Sequence, residues 1–161
     1  VGQLVALEKF TRTLELASGP DRCWSVLTDV EELVSWVRIL HSATELEPLR
    51  SYSAVLEDRV GPFALRADLS IEVNVLEAGS AVDVSASGRD RAINSQIDIE
   101  GSLRLEVLAS AGTRLRLTGQ YQVTGRAAAL GAGVVRKKGD AAVDEFLGNA
   151  VRVLGSVDSS H

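Results

Sequence analysis

Few side chains in this chain of 161 residues are of the types that do covalent or metal chemistry. There are two histidines, His41 and His161, and one cysteine, Cys23. A transition-metal site needs three or four converging His, Cys or carboxylate ligands, and this set does not supply them. A nucleophilic triad needs a serine or cysteine held by a histidine. Cys23 falls on one helical segment and His41 follows another, and a free cysteine is more often a small core residue than a nucleophile. The glycines from Gly125 to Gly133 lack the spacing of a phosphate-cradling Walker or Rossmann loop. Neither a metal nor a cofactor is expected, and no catalytic residue is assigned.

What remains is a set of isolated polar residues on apolar faces. Lys138 lies four residues after Val134 and so returns to an apolar helical stripe. It either snorkels to the helix edge or faces a carbonyl or carboxylate of a ligand. Asp58 and Tyr121 point inward by strand alternation, and each either orients the polar end of a ligand or bonds a neighbouring loop. Arg12 falls on the apolar side of the first strand, as an edge residue reaching solvent or as a polar group at a pocket mouth. Trp24 and Trp36 read as core. Trp36 is the better pocket candidate because it sits on the second short helix.

The elements that position these residues follow from hydrophobic periodicity. The last stretch, 126–154, reads as one long helix with a stripe at Leu130, Val134, Val135, Ala142, Phe146, Ala150, Val153 and Leu154. Gly131, Gly133, Gly139 and Gly148 interrupt it, each costing roughly 1 kcal/mol relative to alanine, and are expected to leave empty volume beneath the helix. Residues 1–6 read as a frayed lead, and a first strand starts at Phe10. Ser18-Gly19-Pro20-Asp21 then opens a helix, with proline in the first turn where its missing N–H costs nothing. Asp29-Val30-Glu31-Glu32 has the form of a capping box and opens a second short helix, apolar almost all round as far as Leu40. Six strands follow, at 44–49, 52–60, 63–76, 81–90, 97–108 and 113–124. The clearest runs Phe63, Leu65, Ala67, Leu69, Ile71, Val73 and Val75 at period two, which no helix can accommodate.

The expected class is therefore α+β: a curved seven-stranded antiparallel sheet wrapped around a long C-terminal helix, with two short helices after strand 1. One domain is expected over 8–155, with flexible ends at 1–7 and 156–161. Hydrophobic residues make up 45% and aromatic ones only 4%, so Val, Leu, Ile and Ala must fill the interior. A net charge of −5 argues against a nucleic-acid partner, which would require a basic face. A single cysteine excludes an internal disulfide and fits a reducing, cytoplasmic compartment. No apolar run approaches a membrane span.

The pattern resembles the helix-grip fold of the START, Bet v 1 and polyketide-cyclase superfamily. Arg59-Val60-Gly61-Pro62 before an alternating strand, with Leu130-Gly131 and Asp144-Glu145-Phe146 in the last helix, resembles more closely the CoxG family of carbon monoxide dehydrogenase subunits. The resemblance implies a non-catalytic protein that holds an apolar molecule (a quinone, isoprenoid or other lipid) between sheet and helix. It further implies a link to a carbon monoxide dehydrogenase-type molybdenum hydroxylase as redox partner, transient membrane contact, and a location peripheral to the inner face of the membrane. Two features depart from the family pattern. The glycine-rich loop usual before the sixth strand is the charged run from Ser87 to Ser95, and the longer C-terminal tail that some members use for membrane association is not seen. The ligand-binding set expected is Trp36, Leu40, Leu56, Asp58, Leu65, Leu69, Leu103, Tyr121, Leu130, Val134, Val135, Lys138 and Ala142, gated by 30–40 and 89–95. Two alternatives stand beside it: a polyketide cyclase or aromatase-like enzyme using Tyr121, Asp58 or Lys138 as acid-base groups, and a structural subunit whose cavity is a packing defect. Oligomeric state is left open.

Overall fold

Period-two alternation sets most of the architecture. In the computed structural model, which describes residues 5–157, the order is β1 (Val5–Leu16), α1 (Pro20–Leu27), α2 (Val30–Val34), β2 (Leu40–Glu47), β3 (Ser51–Val60), β4 (Phe63–Glu77), β5 (Ala81–Asp90), β6 (Ser95–Val107), β7 (Thr113–Gly125), a 3-10 turn (Arg126–Leu130) and α3 (Ala132–Leu154). The seven strands form one sheet in the order β1-β7-β6-β5-β4-β3-β2, every neighbouring pair antiparallel. Strand β4 shows the logic most plainly: Leu65, Ala67, Leu69, Ile71 and Val73 are buried while the residues between them are exposed. One face is thus apolar and covered, the other wet. Where β7 meets β1, Phe10 pairs with Gly119. A side chain at Gly119 would place its Cβ 2.7 Å from the Phe10 ring, so only glycine leaves room for that ring on the inner face.

Three boundaries differ from the sequence expectations. Strand β1 begins at Val5, inside the segment read as a frayed lead, and Ala6 is buried against Tyr121. Helix α2 is only five residues long. Asp29 caps it as expected, accepting the Glu32 N–H at 3.3 Å, but Leu40 opens β2 instead of closing the helix. The C-terminal element is not one helix. Its 3-10 turn ends at Gly131, whose φ of 103° no helix contains, and α3 starts afresh at Ala132. Residues 1–4 and 158–161, expected to be parts of flexible ends, lie outside the described residues, as does His161. Gly155 and Ser156 are bonded to the sheet: the Ala17 N–H donates to the Gly155 carbonyl at 2.9 Å, and Ser156 bridges Leu16.

Helix α3 is held firmly at its C-terminal end. The Ser18 N–H and hydroxyl both donate to the Leu154 carbonyl, at 3.0 and 2.8 Å. The Asn149 amide donates to the Trp36 carbonyl at 2.8 Å, and the Glu145 carboxylate accepts the Arg38 N–H at 2.9 Å. Leu147, Ala150 and Leu154 join the main core with Leu16, Cys23, Leu27 and Leu115. The other end of the helix rests on a separate, smaller cluster of Ala6, Tyr121, Ala128 and Val135. Between Val135 and Leu147 the helix spans the sheet without filling the space beneath it.

Candidate ligand cavity

That unfilled space is a cavity of about 380 Å³, within the range usual for small-molecule sites. Its floor is the inner face of the sheet, including Leu56, Leu65, Leu69, Ile97, Leu103 and Leu117. Its roof is α3 through Val135, Lys138, Gly139, Ala142, Val143 and Phe146, and one side is closed by the segment carrying Val30, Leu33, Val34, Val37 and Ile39. A second concavity, about 840 Å³, lies on the outer face of the sheet, open to solvent and lined by Lys9, Arg50, Glu72, Asp83, Glu100 and small polar residues. The inner cavity is the candidate site because its lining is nearly all apolar, whereas that of the outer one is an even mixture of polar and apolar surface.

Ten of the thirteen expected ligand-binding residues lie on the inner wall: Leu40, Leu56, Asp58, Leu65, Leu69, Leu103, Tyr121, Val135, Lys138 and Ala142. Three do not. Trp36 is buried beside the cavity, packed on Phe146 with ring centroids 5.5 Å apart and donating its indole N–H to Glu32 at 3.1 Å. Val134 is 38% exposed on the outer side of α3, while Val135, one position on, is buried and faces inward. Leu130 belongs to the 3-10 turn and lies against Gly61. The expected gate at 89–95 is also absent from the wall, since Asp90 ties that turn down by accepting the N–H groups of Arg66 and Ala92 at 2.8 and 2.9 Å. The expected gate at 30–40 does supply Val37 and Ile39 to the wall, whereas Phe10, Ile97, Ile99 and Val143 were missed. Taking the whole inward-facing set of β1 and β6 at period two would have found Phe10, Ile97 and Ile99.

The polar groups on the wall are engaged with the protein. Lys138 Nζ lies 3.3 Å from both carboxylate oxygens of Asp58, and Asp58 also accepts the Arg59 N–H at 2.8 Å. This pair joins α3 to β3 at the edge of the cavity. Lys138 is half exposed and Asp58 largely covered. The Tyr121 hydroxyl donates to the Arg136 carbonyl at 3.3 Å, and its ring packs directly against Gly139. Burial, reinforced by the charges of Asp140 and Glu8, pushes the Tyr121 phenol up to about 12, so it is a protonated donor near neutrality. Arg12 extends from β1 to Asp140 and Asp144 of α3, at 3.9 and 3.8 Å, and fastens the edge strand to the helix.

The glycines of α3 do not carve the cavity as expected. Gly133 and Gly148 are exposed with nothing near their missing Cβ, and Gly139 is the one that faces inward, where the Tyr121 ring occupies the space. The volume comes instead from the span between the two packed ends of the helix. Cys23 is fully buried, its thiol donating to the Ser18 carbonyl at 3.5 Å and pushed up by burial. His41 bonds Ser42 and Glu57 on the surface. Among the described residues no group of three or more His, Cys, Asp or Glu is placed to hold a metal ion, and no helix is long and apolar enough to cross a membrane.

A curved antiparallel sheet closed by a C-terminal helix over an apolar cavity defines a START-like, helix-grip ligand-binding domain. Solved structures share the fold. A conserved protein from Geobacillus kaustophilus is 19% identical, with 91% of this chain and 95% of that one covered at a TM-score of 0.78. A START superfamily protein from Mycobacterium smegmatis is 13% identical over 93% and 94% of the two chains, with a TM-score of 0.63. Ara h 8.0201 is 14% identical over 91% and 99%, with a TM-score of 0.56. The model of the CoxG family of carbon monoxide dehydrogenase subunits matches residues 13–154, and the chain belongs to that family. No curated protein matches it.

Proposed function

We propose that this protein is a non-catalytic carrier that holds a quinone, isoprenoid or other lipid between the sheet and α3. In this reading it serves as an accessory to a carbon monoxide dehydrogenase-type molybdenum hydroxylase in the cytoplasm. The observation that carries the proposal is the cavity wall. It is formed mostly by Val, Leu, Ile and Phe, and Asp58, Tyr121 and Lys138, on β3, β7 and α3, are among its few polar groups. Such a wall offers a ligand little beyond buried apolar area, worth about 25 cal/mol per Å² before the costs of binding. Orientation falls to the few polar groups. The link to a molybdenum hydroxylase rests on family membership.

Titration with a short-chain menaquinone analogue and with a fatty acid, followed by calorimetry, tests the carrier reading. Wild-type protein is expected to bind at least one of them saturably at one site. Ala142→Phe, which projects a ring from α3 into the cavity, is expected to weaken binding at least about tenfold, the scale of filling a site that apolar contact supplies. Equal affinity in wild type and variant would place the ligand elsewhere.

A further inference from the structure

We propose that the free edge of β1 is a pairing surface for a second copy of this chain, added antiparallel about a two-fold axis at Phe10. Strand β1 ends the sheet and pairs with β7 from Val5 to Leu16 without a register shift. It contains neither proline nor glycine, and so lacks the devices that usually blunt an edge. Strand β2, at the other edge, is interrupted: its register shifts twice and Ser42 sits at a φ of 58°. On the free side of β1 the Glu15 carbonyl accepts the Val157 N–H at 3.2 Å, and the Ala17 N–H donates to Gly155 at 2.9 Å. Backbone groups alternate sides along a strand, so those of Leu7, Lys9, Thr11 and Thr13 point outward too. The Thr11 carbonyl accepts the guanidinium of its neighbour Arg12 at 3.1 Å. Among the described residues no backbone segment pairs with this stretch of the edge. Val5 and Leu7, apolar and 53% and 45% exposed, stand at its start.

Charge favours a second copy over an unrelated strand, and it selects one register. Outward-pointing residues must lie opposite one another, so the two-fold axis falls on a residue of β1. An axis at Glu8 or Lys9 sets like charges face to face, which is destabilising. An axis at Thr11 leaves Glu8 facing Leu14 and Arg12 facing Phe10. An axis at Phe10 sets Glu8 opposite Arg12 of the second copy, and Arg12 opposite its Glu8. Both groups are available: among the described residues Glu8 forms no ion pair, and Arg12 reaches Asp140 and Asp144 only at 3.9 and 3.8 Å. Leu7 then falls opposite Thr13 and Lys9 opposite Thr11, giving about eight backbone hydrogen bonds across the axis. Val157, seated beside Glu15, stops the pairing beyond Thr13. The surface does not depend on what the cavity holds.

Sedimentation velocity over a concentration series tests the pairing. The wild-type chain is expected to show a monomer–dimer equilibrium. Thr11→Pro removes an outward N–H and leaves the ladder to β7 intact, as proline does on an edge strand. It is expected to raise the dissociation constant about tenfold, since one bond is lost from each copy. Glu8→Arg and Arg12→Glu are each expected to weaken the dimer at least about tenfold by setting like charges opposite one another. An equimolar mixture of these two variants is expected to recover wild-type affinity, because one copy then offers two cations and the other two carboxylates. Thermal melts show that each variant is folded. A wild-type chain that stays monomeric throughout the series overturns the proposal. So does a dimer that Thr11→Pro leaves as tight as before, or a mixture of the two charge variants that shows no recovery.

Discussion

Replacing Gly139 by alanine asks directly whether Tyr121 stands over the helix where the structure puts it. In an exposed helical position the change would stabilise by about 1 kcal/mol through helix propensity alone. At Gly139 the new Cβ would overlap the Tyr121 hydroxyl and lie 2.6 Å from Cε1, closer than any carbon tolerates. The ring must swing away, losing its bond to the Arg136 carbonyl, about 1 kcal/mol, and disturbing its tilted contact with Phe10 at 6.4 Å between centroids. Overpacking of this kind costs about 1–3 kcal/mol. After the propensity gain is subtracted, a net destabilisation of about 1–3 kcal/mol is expected, seen as a lower urea midpoint with unchanged slope. Gly148→Ala on the same helix meets nothing within 4 Å and should stabilise by about 0.5–1 kcal/mol, raising Tm by roughly 2–4 °C. In a Tyr121→Ala background Gly139→Ala should turn stabilising as well, a coupling that a double-mutant cycle isolates. Gly139→Ala stabilising the wild-type chain as much as Gly148→Ala does would refute the packing described for Tyr121, and would favour a cavity that is merely a defect waiting to be filled.

Two further outcomes follow from buried polar contacts. Ser95 is 2% exposed and its hydroxyl accepts the N–H of Ala127, itself 1% exposed; Ser95→Ala leaves that donor unsatisfied and should cost about 1–3 kcal/mol, with faster amide exchange confined to the 3-10 turn. A change within about 0.5 kcal/mol, as for an ordinary surface site, would mean the turn is not tethered there. Tyr121 has a folded pKa raised from 10 to about 12 by burial and then by Asp140 and Glu8, so its contribution is fully present below pH 10 and lost as pH rises towards 12. Alkaline denaturation should therefore steepen over that window and flatten in Tyr121→Phe, though only in part, because Tyr52 is shifted in the same direction by burial. Phenolate absorbance appearing in one step near 10 for both tyrosines would contradict the burial of Tyr121.

The sheet is legible in the sequence because its signal is local. Strand β4 announces itself by seven alternating apolar residues, and the Asp29 cap by four contiguous ones. The start of β2 is harder to read because its alternation is broken: the register shifts between His41 and Thr44 and again between Glu45 and Glu47, with Ser42 at a φ of 58°. The break at Gly131 is hidden because Leu130, Val134 and Val135 keep helical spacing across it. Glycine there supplies a positive φ, yet in sequence it reads only as a weak helix former. The cavity wall follows from alternation, so most of its residues can be named. Its polar pairings cannot. Lys138 and Asp58 are 80 residues apart in the chain, and Arg12 lies far from Asp140, so each lone polar residue on an apolar face gains its partner only through the closing of α3 over the sheet.

The central claim is that the space under α3 holds an apolar molecule. Its most direct test is the intact mass of the purified protein, measured under native conditions and again after denaturation, with any excess extracted into organic solvent and identified. The expected result is a discrete excess mass, lost on denaturation, that proves to be a quinone, isoprenoid or acyl lipid and is absent from Ala142→Phe. A native mass equal to that of the bare chain, together with no thermal shift on adding quinones or fatty acids, would contradict it.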